Sequence, residues 1–342
     1  MSKYSFKNIV ERKRVAAAVI EPILTAKKDR TVSSFYDRAN CTMFDDKRLH
    51  TQLAPKTASG RLASGETGWP LEASTNLQNQ PKKVGKLDEY YRVRDIFDTL
   101  SEDWVFVAGD FKNAEAILCA AYSLDWPFYD LLMGEADVHK MHAAMYFDVL
   151  EADVNSYQRG TAKNVHYASL YMAGPPTITR TLNKDLKPGE ERFNESLVSD
   201  IRAQFLGLHP LEEWWRATSL LIKKNDGWLR NALGFRRVFY DPTPEGRLKD
   251  GLSFFPQSTV ASLMNPAMIA AFNTIDNNKT RMLLLQVHDE LLWLSRPDQV
   301  NRIIKGVTPL MEHHFIIDEH DVYVPVEWSV GNPWGGMEDY KI

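Results

Sequence analysis

The segment from Leu283 to Ser295, LLLQVHDELLWLS, places three consecutive polar residues inside a run that is otherwise apolar. The apolar stretches on either side of His288, Asp289 and Glu290 predict two strands joined by a tight turn. Burying an ionised carboxylate is costly unless a partner or a metal ion compensates its charge. The tip of this strand pair therefore either dips into solvent or forms a site, and the segment alone does not decide between the two.

A second apolar run also ends in an acidic residue. The stretch WVFVAGDF, from Trp104 to Phe111, is typical of a short buried strand, and the following KNAEAILCAAYSLD has helical character and carries Glu115. Strands so far apart in sequence can still pair in one sheet and bring Asp110 close to Asp289. Paired carboxylates are ligands that Mg²⁺ prefers, and two such ions support in-line phosphoryl transfer. The alternative for Asp110 is a helix N-cap.

A third pattern lies in QRGTAKNVHYASLYMAG, where Arg159, Lys163, Tyr167 and Tyr171 recur at every fourth position. On an α-helix these side chains fall within about a third of the circumference. Two cations one turn apart can bind a polyphosphate, and the aromatic residues offer a stacking surface for a base. His139, upstream, is a candidate for a further phosphate contact. The alternative is an amphipathic helix with solvated cations and tyrosines packed in the core.

The composition limits the class of protein. The chain has 342 residues, of which 44% are hydrophobic and 25% charged, and its net charge is -4, so contact with nucleic acid requires a local basic surface. Cys41 and Cys119 are the only cysteines, which indicates neither a disulfide framework nor a zinc site. No signal peptide or apolar run of membrane-spanning length occurs. These features predict a cytoplasmic protein.

The order of elements predicts an α+β fold. Residues 1–50 suggest charged amphipathic helices, and residues 53–83 are rich in Gly, Ser, Thr, Asn and Pro, which is typical of an irregular segment. After the first strand, residues 137–250 are mainly helical in pattern, and residues 257–273 have helical periodicity before the final strands. A sheet interrupted by a helical insertion and completed by later strands fits the α+β class.

These segments together resemble the family A (DNA polymerase I-like) DNA polymerases, from about Arg48 to the C-terminus. The matching segments follow the family's order and spacing: TASGRLASGETGWPLEASTNLQNQP, VAGDFKNAEAIL, RGTAKNVHYASLY, QSTVASLMNPAM, LQVHDEL and VEWSVGNPW. The resemblance implies a right-hand polymerase with an antiparallel-sheet palm and a mainly helical fingers subdomain. Residues 1–50 would be a helical N-terminal segment that represents a thumb remnant, 51–125 and 251–342 the two parts of the palm, and 126–250 the fingers.

The resemblance also assigns the reacting end of the site. It implies that Asp110 and Asp289 hold two Mg²⁺ ions, with the backbone carbonyl of Phe111 as an additional ligand and Glu290 in support. Positioning and charge neutralisation supply most of the rate in phosphoryl transfer. A catalytic role is also implied for Lys163, as the proton donor to the departing pyrophosphate.

The nucleotide would be held by the residues of the helical pattern. The resemblance implies that Arg159, Lys163 and His139 bind the triphosphate and that Tyr167 stacks on the incoming nucleotide. Glu115 would exclude a ribose 2′-hydroxyl, with Tyr171 as its partner beside the template base. Because the family carries either phenylalanine or tyrosine at the position of Tyr167, its hydroxyl predicts efficient use of dideoxynucleotides.

Contacts to DNA are implied for six further residues. Arg61, Gln257 and His288 would face the minor groove of the nascent duplex, where acceptors common to all base pairs allow pair shape to be checked. The segment near the DNA backbone would contribute Asn76, Gln78 and Asn79. The implied partners are primer-template DNA and dNTPs.

Other features of the sequence differ from the family pattern. Lys112 replaces a small polar residue, and Ala168, Met172 and Ser258 stand where glycines are usual, which predicts altered fingers closure. Only about 50 residues precede the recognisable core, which predicts a polymerase without proofreading. It also predicts poor processivity and a separate exonuclease or thumb subunit or processivity factor, as in a split, phage-like polymerase acting in a bacterial or infected cytosol. Two alternatives remain: a catalytically idle DNA-binding or assembly subunit, and a single-subunit RNA polymerase.

Overall fold

The computed structural model describes residues 49–65, 76–80, 93–99, 101–184, 186 and 192–342. The predicted helical segment 1–50 therefore lies almost entirely outside the described residues. The described chain divides into two compact units. The smaller contains residues 49–54, 63–65, 76–80, 93–99 and 332–336, and the larger contains the rest. No helix in the described ranges is long and apolar enough to cross a membrane.

The smaller unit contains a short antiparallel strand pair, β1 (Gln52–Ala54) and β2 (Ala63–Gly65). A 3₁₀ turn at Leu77–Asn79 follows in this unit, and the side chain of Asn76 accepts hydrogen bonds from the backbone N–H groups of the next two polar residues. The predicted irregular segment 53–83 thus contains these short elements, which are too brief to leave a periodic pattern in the sequence.

The larger unit is built on a five-stranded antiparallel sheet, as the α+β prediction requires. Its strands are β3 (Val105–Phe111), β6 (Arg281–Val287), β7 (Glu290–Ser295), β10 (Val326–Gly331) and β11 (Glu338–Asp339). The spatial order is β11-β10-β3-β7-β6, so the first strand of the sheet lies between two strands from the end of the chain.

Close packing across β3 and β10 leaves room only for glycine at one position. Gly109 pairs with Trp328, and a Cβ atom on Gly109 would lie 2.7 Å from the indole ring. The ring is held in place because its Nε1–H donates a hydrogen bond of 3.0 Å to the hydroxyl of Thr308. The strand that ends in Asp110 is therefore fixed against its neighbour by direct contact between ring and backbone.

Helices occupy most of the chain between β3 and β6. They are α1 (Ala114–Tyr122), α2 (Trp126–Met133), α3 (Val138–Phe147), α4 (Ser156–Leu170), α5 (Pro175–Lys184), α6 (Glu195–Leu208), α7 (Leu211–Lys224) and α8 (Pro244–Thr274). This agrees with the predicted helical insertion, to which the structure adds a hairpin of β4 (Trp228–Arg230) and β5 (Arg236–Val238). Beyond β7 follow α9 (Val300–Met311), β8 (Phe315–Ile317) and β9 (His320–Val322).

Helix α8 begins earlier than the sequence pattern predicts. Thr243 caps it, since its hydroxyl accepts the N–H of Gly246 at 3.0 Å, and Pro244 occupies the first helical position, where a missing N–H costs nothing. Buried side chains of α1, α4, α6 and α8 share one core with Trp293 of β7. This core holds the helices against the sheet end where the acidic residues lie.

Candidate active site

The strand register brings the acidic residues to one end of the sheet. Asp110 is the penultimate residue of β3 and pairs with Glu290, the first residue of β7. Asp289 lies in the turn just before Glu290, and its carbonyl accepts the N–H of Phe111 at 3.1 Å. The residue at the N-cap of α1 is Asn113, so the alternative of Asp110 as a helix cap is wrong.

The turn that carries Asp289 has a defined geometry. Its first residue, His288, has a φ of 57° in the left-handed region, and the side-chain amide of Gln286 donates to its carbonyl oxygen. The His288 side chain is exposed, whereas Asp289 is half-buried and Glu290 is buried. The apolar strands thus end in a turn that presents one exposed imidazole beside two carboxylates in less polar surroundings.

The electrostatic setting of Asp289 suits a bound cation. Burial raises the pKa of Asp289, and the negative charge of Glu115 adds to this effect, whereas the positive charge of Arg61 opposes it. Within the described ranges no group of three or more His, Cys, Asp or Glu side chains is arranged to hold a metal ion by itself. A pair of carboxylates is sufficient for Mg²⁺ when substrate phosphates complete its coordination.

Glu115 is held by two side chains from different parts of the chain. Its Oε1 accepts from Nη2 of Arg61 at 2.9 Å, and its Oε2 accepts from the hydroxyl of Tyr171 at 2.5 Å. Burial raises the pKa of Tyr171, and the charge of Glu115 adds to the shift, so the phenol keeps the proton that it donates. The expected partnership of Glu115 with Tyr171 is present, and Arg61, expected at the minor groove, forms an ion pair with the same carboxylate.

Helix α4 displays the predicted cationic and aromatic residues. A capping box between Asn155 and Gln158 starts the helix, Arg159 and Lys163 are exposed, and Tyr167 is half-buried. Tyr171 is the C-cap, one residue beyond the helical end. The helix therefore has features of both sequence interpretations. Its cations are exposed to solvent and available to a ligand, while its tyrosines are partly buried.

The aromatic end of α4 lies close to the carboxylates. Burial raises the pKa of Tyr167 to about 12, and the negative charges of Glu115 and Asp289 contribute to this shift. The ammonium group of Lys163 lies 5.9 Å from the centre of the Tyr167 ring. The Tyr167 ring thus lies near the ammonium group of Lys163 and within electrostatic reach of Glu115 and Asp289.

Arg159 is oriented by an acidic residue that sequence reasoning missed. Its Nε donates to Oδ2 of Asp137 at 2.5 Å, and the other carboxylate oxygen caps α3 by accepting the N–H of Lys140 at 3.0 Å. Burial raises the pKa of Asp137, but these hydrogen bonds outweigh it and leave the pKa below its usual value. An aspartate just before a helical pattern is an N-cap signal, which would have identified Asp137 as a cap although not as a partner of Arg159.

His139 belongs to a buried group of histidines that the sequence did not reveal. Its Nδ1 lies 3.1 Å from Nδ1 of His166, whose Nε2 lies 3.2 Å from Nδ1 of His142 and 2.9 Å from the hydroxyl of Tyr146. Burial lowers the pKa of both His139 and His142 to about 4, and it also lowers the pKa of His166 well below its ordinary value. The only available signal was the spacing of His139 and His142, which places both on one face of α3.

These histidines predict a specific loss of stability in acid. Since the pKa of His142 is about 4 in the fold and near 6.5 when unfolded, the unfolded chain binds more protons between these values. The unfolding free energy therefore falls as the pH drops below about 6.5. In urea titrations, we expect the unfolding free energy of His142→Gln to fall between pH 7 and pH 5 by about 1 kcal/mol less than that of the wild type, after allowance for residual solvent contact. The exposed His313→Gln is the matched control, and an equal loss in wild type and His142→Gln would contradict the assignment.

The residues expected to contact DNA differ in their burial and in the hydrogen bonds that they form. Gln257 is half-buried on α8. In the smaller unit, Gln78 is buried and its Oε1 accepts the N–H of Ser64 at 2.8 Å, Asn76 caps the 3₁₀ turn, and Asn79 is exposed. Two of these three polar side chains are thus used to build the turn.

The hairpin of β4 and β5 is a further cationic feature that the sequence analysis missed. The guanidinium carbon of Arg236 lies 4.1 Å from the centre of the Trp228 ring, and that of Arg230 lies 6.0 Å from the same ring. Arg237 instead forms an ion pair of 2.9 Å with Asp250. The pattern WLRNALGFRRVF could have indicated a hairpin through its glycine.

Known proteins are similar to this chain in sequence and in fold. Residues 4–336 match the family model described as DNA polymerase family A. DNA polymerase I of Pseudomonas aeruginosa is 27% identical over 302 residues, and the thermostable DNA polymerase I of Thermus aquaticus is 26% identical over 340 residues. These matches cover 84% and 95% of this chain but only 31% and 37% of the relatives, so the chain spans about a third of their length.

A solved structure has the same fold. The POL domain of Pol1 from M. smegmatis, in complex with DNA primer-template and dNTP, superposes with a TM-score of 0.77 at 21% identity. The match covers 94% of this chain and 54% of that one. The α+β prediction, with an antiparallel sheet and a mainly helical insertion, is confirmed.

Proposed function

Because the chain belongs to DNA polymerase family A, we propose that it is a template-directed DNA polymerase that adds dNTPs to a primer 3′ end. The observation that carries this proposal is the strand register that sets Asp110 opposite Glu290 and beside Asp289. The negative charges of Asp289 and of the neighbouring Glu115 contribute to the raised pKa of Tyr167 on the cationic helix. Carboxylates facing a cationic and aromatic helix form a site suited to nucleoside triphosphates.

The acidic residues fit a divalent metal ion. Asp110 and Asp289 would hold two Mg²⁺ ions, with the carbonyl of Phe111 as a further ligand and Glu290 in support. Hard oxygen donors suit Mg²⁺, and the raised pKa of Asp289 is the sign of a carboxylate whose charge lacks full compensation in the protein alone. When bound, such ions neutralise charge on the attacking and leaving oxygens of an in-line displacement.

The triphosphate would be bound by the cations of α4 and by His139. Arg159 is already oriented by Asp137, so little conformational freedom is lost when its guanidinium meets a phosphate. Lys163, one turn further along, binds the departing end and donates a proton to pyrophosphate. Tyr167 stacks on the incoming nucleotide, and its half-buried ring keeps that surface in place.

Sugar selection is proposed for the group around Glu115. Held by both Arg61 and Tyr171, the carboxylate cannot easily swing aside, and it excludes a ribose 2′-hydroxyl. This gate distinguishes the proposal from a single-subunit RNA polymerase. Arg61, Gln257 and His288 are proposed to lie along the minor groove.

The remaining assignments follow the family pattern. Asn79 is proposed as the exposed contact to the DNA backbone, with Asn76 and Gln78 shaping the turn that presents it. We propose residues 51–125 and 251–342 as the palm and 126–250 as the fingers. The thumb remnant, the lack of proofreading and a separate partner polypeptide stay predictions from the sequence.

Primer extension tests the proposal directly. Purified chain is incubated with a primed template, Mg²⁺ and either dNTPs or rNTPs, and the products are resolved by length. We expect template-directed extension with dNTPs, no extension with rNTPs and none in EDTA. DNA binding without any extension would instead support the idle DNA-binding subunit, and preferential use of rNTPs would support an RNA polymerase.

A second prediction concerns dideoxynucleotides. The Tyr167 hydroxyl, kept protonated by its pKa of about 12, can substitute for the hydrogen bond of a missing 3′-hydroxyl. We expect Tyr167→Phe to raise discrimination against dideoxynucleotides by about 10- to 100-fold, the range of a hydrogen bond to a charged group. Competition between ddNTP and dNTP in single-nucleotide extension measures this ratio. Tyr157→Phe, at the start of α4, is the matched control, and unchanged discrimination in Tyr167→Phe would refute the role.

A further inference from the structure

A neutral histidine can donate from only one of its two ring nitrogens. Burial, together with the positive charges of Lys163 and Arg159, lowers the pKa of His139 to about 4, so at neutral pH its ring carries one N–H and one lone pair. A phosphate oxygen accepts hydrogen bonds but does not donate them. His139 can therefore assist a triphosphate only if its proton is on the nitrogen that is free to face the phosphate.

The position of that proton depends on His166. The two Nδ1 atoms lie 3.1 Å apart in a buried pair, so one of them donates and the other accepts. If His166 donates, the proton of His139 resides on Nε2. If His139 donates, its Nε2 exposes a lone pair that repels a phosphate.

Tyr146 favours the first arrangement. Its hydroxyl lies 2.9 Å from Nε2 of His166. A phenol is a stronger hydrogen-bond donor than acceptor, because its oxygen lone pairs delocalise into the ring, so the hydroxyl donates and Nε2 accepts. Nδ1 of His142 lies farther from this nitrogen, at 3.2 Å, so the single lone pair of Nε2 is used by the nearer hydroxyl. When Nε2 of His166 accepts, the proton of His166 must reside on Nδ1, which faces His139.

Packing keeps the His166 ring in this orientation. The ring stacks on Phe205 with centroids 4.3 Å apart and planes inclined by 15°, and its exposed fraction is 2%. Rotation of the ring would break the hydrogen bonds at both nitrogens of a side chain that is almost completely buried. The hydrogen bonds that link Tyr146, His166 and His139 therefore form a relay with a fixed geometry.

We propose that His166 is a positioning residue for the triphosphate site. Its Nε2 accepts a hydrogen bond from the Tyr146 hydroxyl, and its Nδ1–H donates one to Nδ1 of His139. This arrangement fixes His139 as an Nε2–H donor for the triphosphate. The inference rests on the proposed function, since it takes His139 as a triphosphate contact. Fixing the donor before the nucleotide arrives lowers the conformational cost of binding. The effect therefore falls mainly on the KM for dNTP.

The proton positions can be measured without any enzymatic reaction. In two-dimensional ¹⁵N–¹H spectra of the full chain, the ring nitrogens of His139 are assigned by comparison with His139→Gln. We expect the wild type to show His139 with its proton on Nε2 and His166 with its proton on Nδ1. In His166→Phe, which retains stacking on Phe205, we expect the His139 ring to populate both tautomers. A wild-type His139 protonated on Nδ1, or a tautomer unaffected by His166→Phe, overturns the proposal.

Kinetics then test whether the relay acts through His139. We expect His166→Phe to raise the KM for dNTP about tenfold, with a smaller change in kcat, and Tyr146→Phe to raise it by a smaller factor. In a His139→Ala background, His166→Phe should add nothing to the KM. His314→Phe is the matched control, because His314 also stacks on an aromatic ring, that of Tyr323, but is exposed.

Failure of the relay and failure of the proposed function would give different results. Additive effects of His139→Ala and His166→Phe would overturn the relay while leaving DNA polymerisation intact. If His139→Ala extends primers with an unchanged KM, the phosphate role of His139 and the relay both fail. If the wild type does not extend primers at all, the proposed function fails, and the tautomer measurement still decides the relay.

Discussion

We expect Asp289→Asn to reduce primer extension by at least about 10³-fold, because under the proposed function the amide would remove the charge that a divalent ion needs at the end of the paired strands. The loss is expected in kcat for single-nucleotide addition, measured under saturating dNTP and primed template. Burial raises the pKa of Asp289, which means that the ionised carboxylate is no more stable in the folded than in the unfolded chain. The neutral amide should therefore leave the unfolding free energy nearly unchanged. Asp110→Asn is expected to have the same effect.

The control for this experiment is another aspartate of the same sheet. Asp339 lies on the edge strand β11 and is exposed, so Asp339→Asn should extend primers at the wild-type rate. Circular dichroism and binding of primed template distinguish a chemical defect from an unfolded protein. Full extension by folded Asp289→Asn would remove the carboxylate from the mechanism.

Glu115→Ala is expected to raise the use of ribonucleotides relative to deoxynucleotides by about 100-fold or more, equivalent to about 2.7 kcal/mol of discrimination. The carboxylate is fixed by Arg61 at 2.9 Å and by Tyr171 at 2.5 Å, and under the proposed role its removal would open the space that a 2′-hydroxyl needs. Tyr171→Phe keeps the carboxylate but loosens it, so we expect about a tenfold change. The ratio of kcat/KM for rNTP and dNTP in single-nucleotide extension measures both effects.

An exposed glutamate provides the comparison. Glu135 lies outside the helices, between α2 and α3, and Glu135→Ala should retain the wild-type ratio. If Glu115→Ala also keeps this ratio while weakening the fold, the ion pair with Arg61 is only structural, and sugar selection must come from elsewhere in the site.

Three of the five strands of the sheet, β3, β6 and β7, were predictable because they have strong local patterns. The two apolar runs around His288 and Asp289 are long enough to indicate strands, and the three consecutive polar residues His288, Asp289 and Glu290 mark the turn between them. Their pairing with β3 followed from the idea that two acidic residues share a site, rather than from any local signal. Local sequence patterns therefore identified the strands, and the expected proximity of the two acidic residues suggested how the strands pair.

The parts that were missed depend on contacts between distant segments. The strands of the β4–β5 hairpin have three residues each, which is too short for a periodic pattern to show. The partners of Arg159 and His139 come from neighbouring helices, and helix packing is not encoded in the spacing of one helix. Arg61 is likewise 54 positions from Glu115, so no sequence window contains both.

The contact between Gly109 and Trp328 has a consequence for variation at this site. Because any side chain at Gly109 would collide with the indole at 2.7 Å, the residue next to Asp110 should be as intolerant of replacement in a deep mutational scan as the aspartate itself, although it touches no substrate. Variants at Gly109 would lose soluble protein, whereas variants at Asp110 would accumulate as folded, inactive chains. Trp328→Ala combined with Gly109→Ala should restore part of the soluble yield, which makes the pair a candidate for compensated drift during evolution.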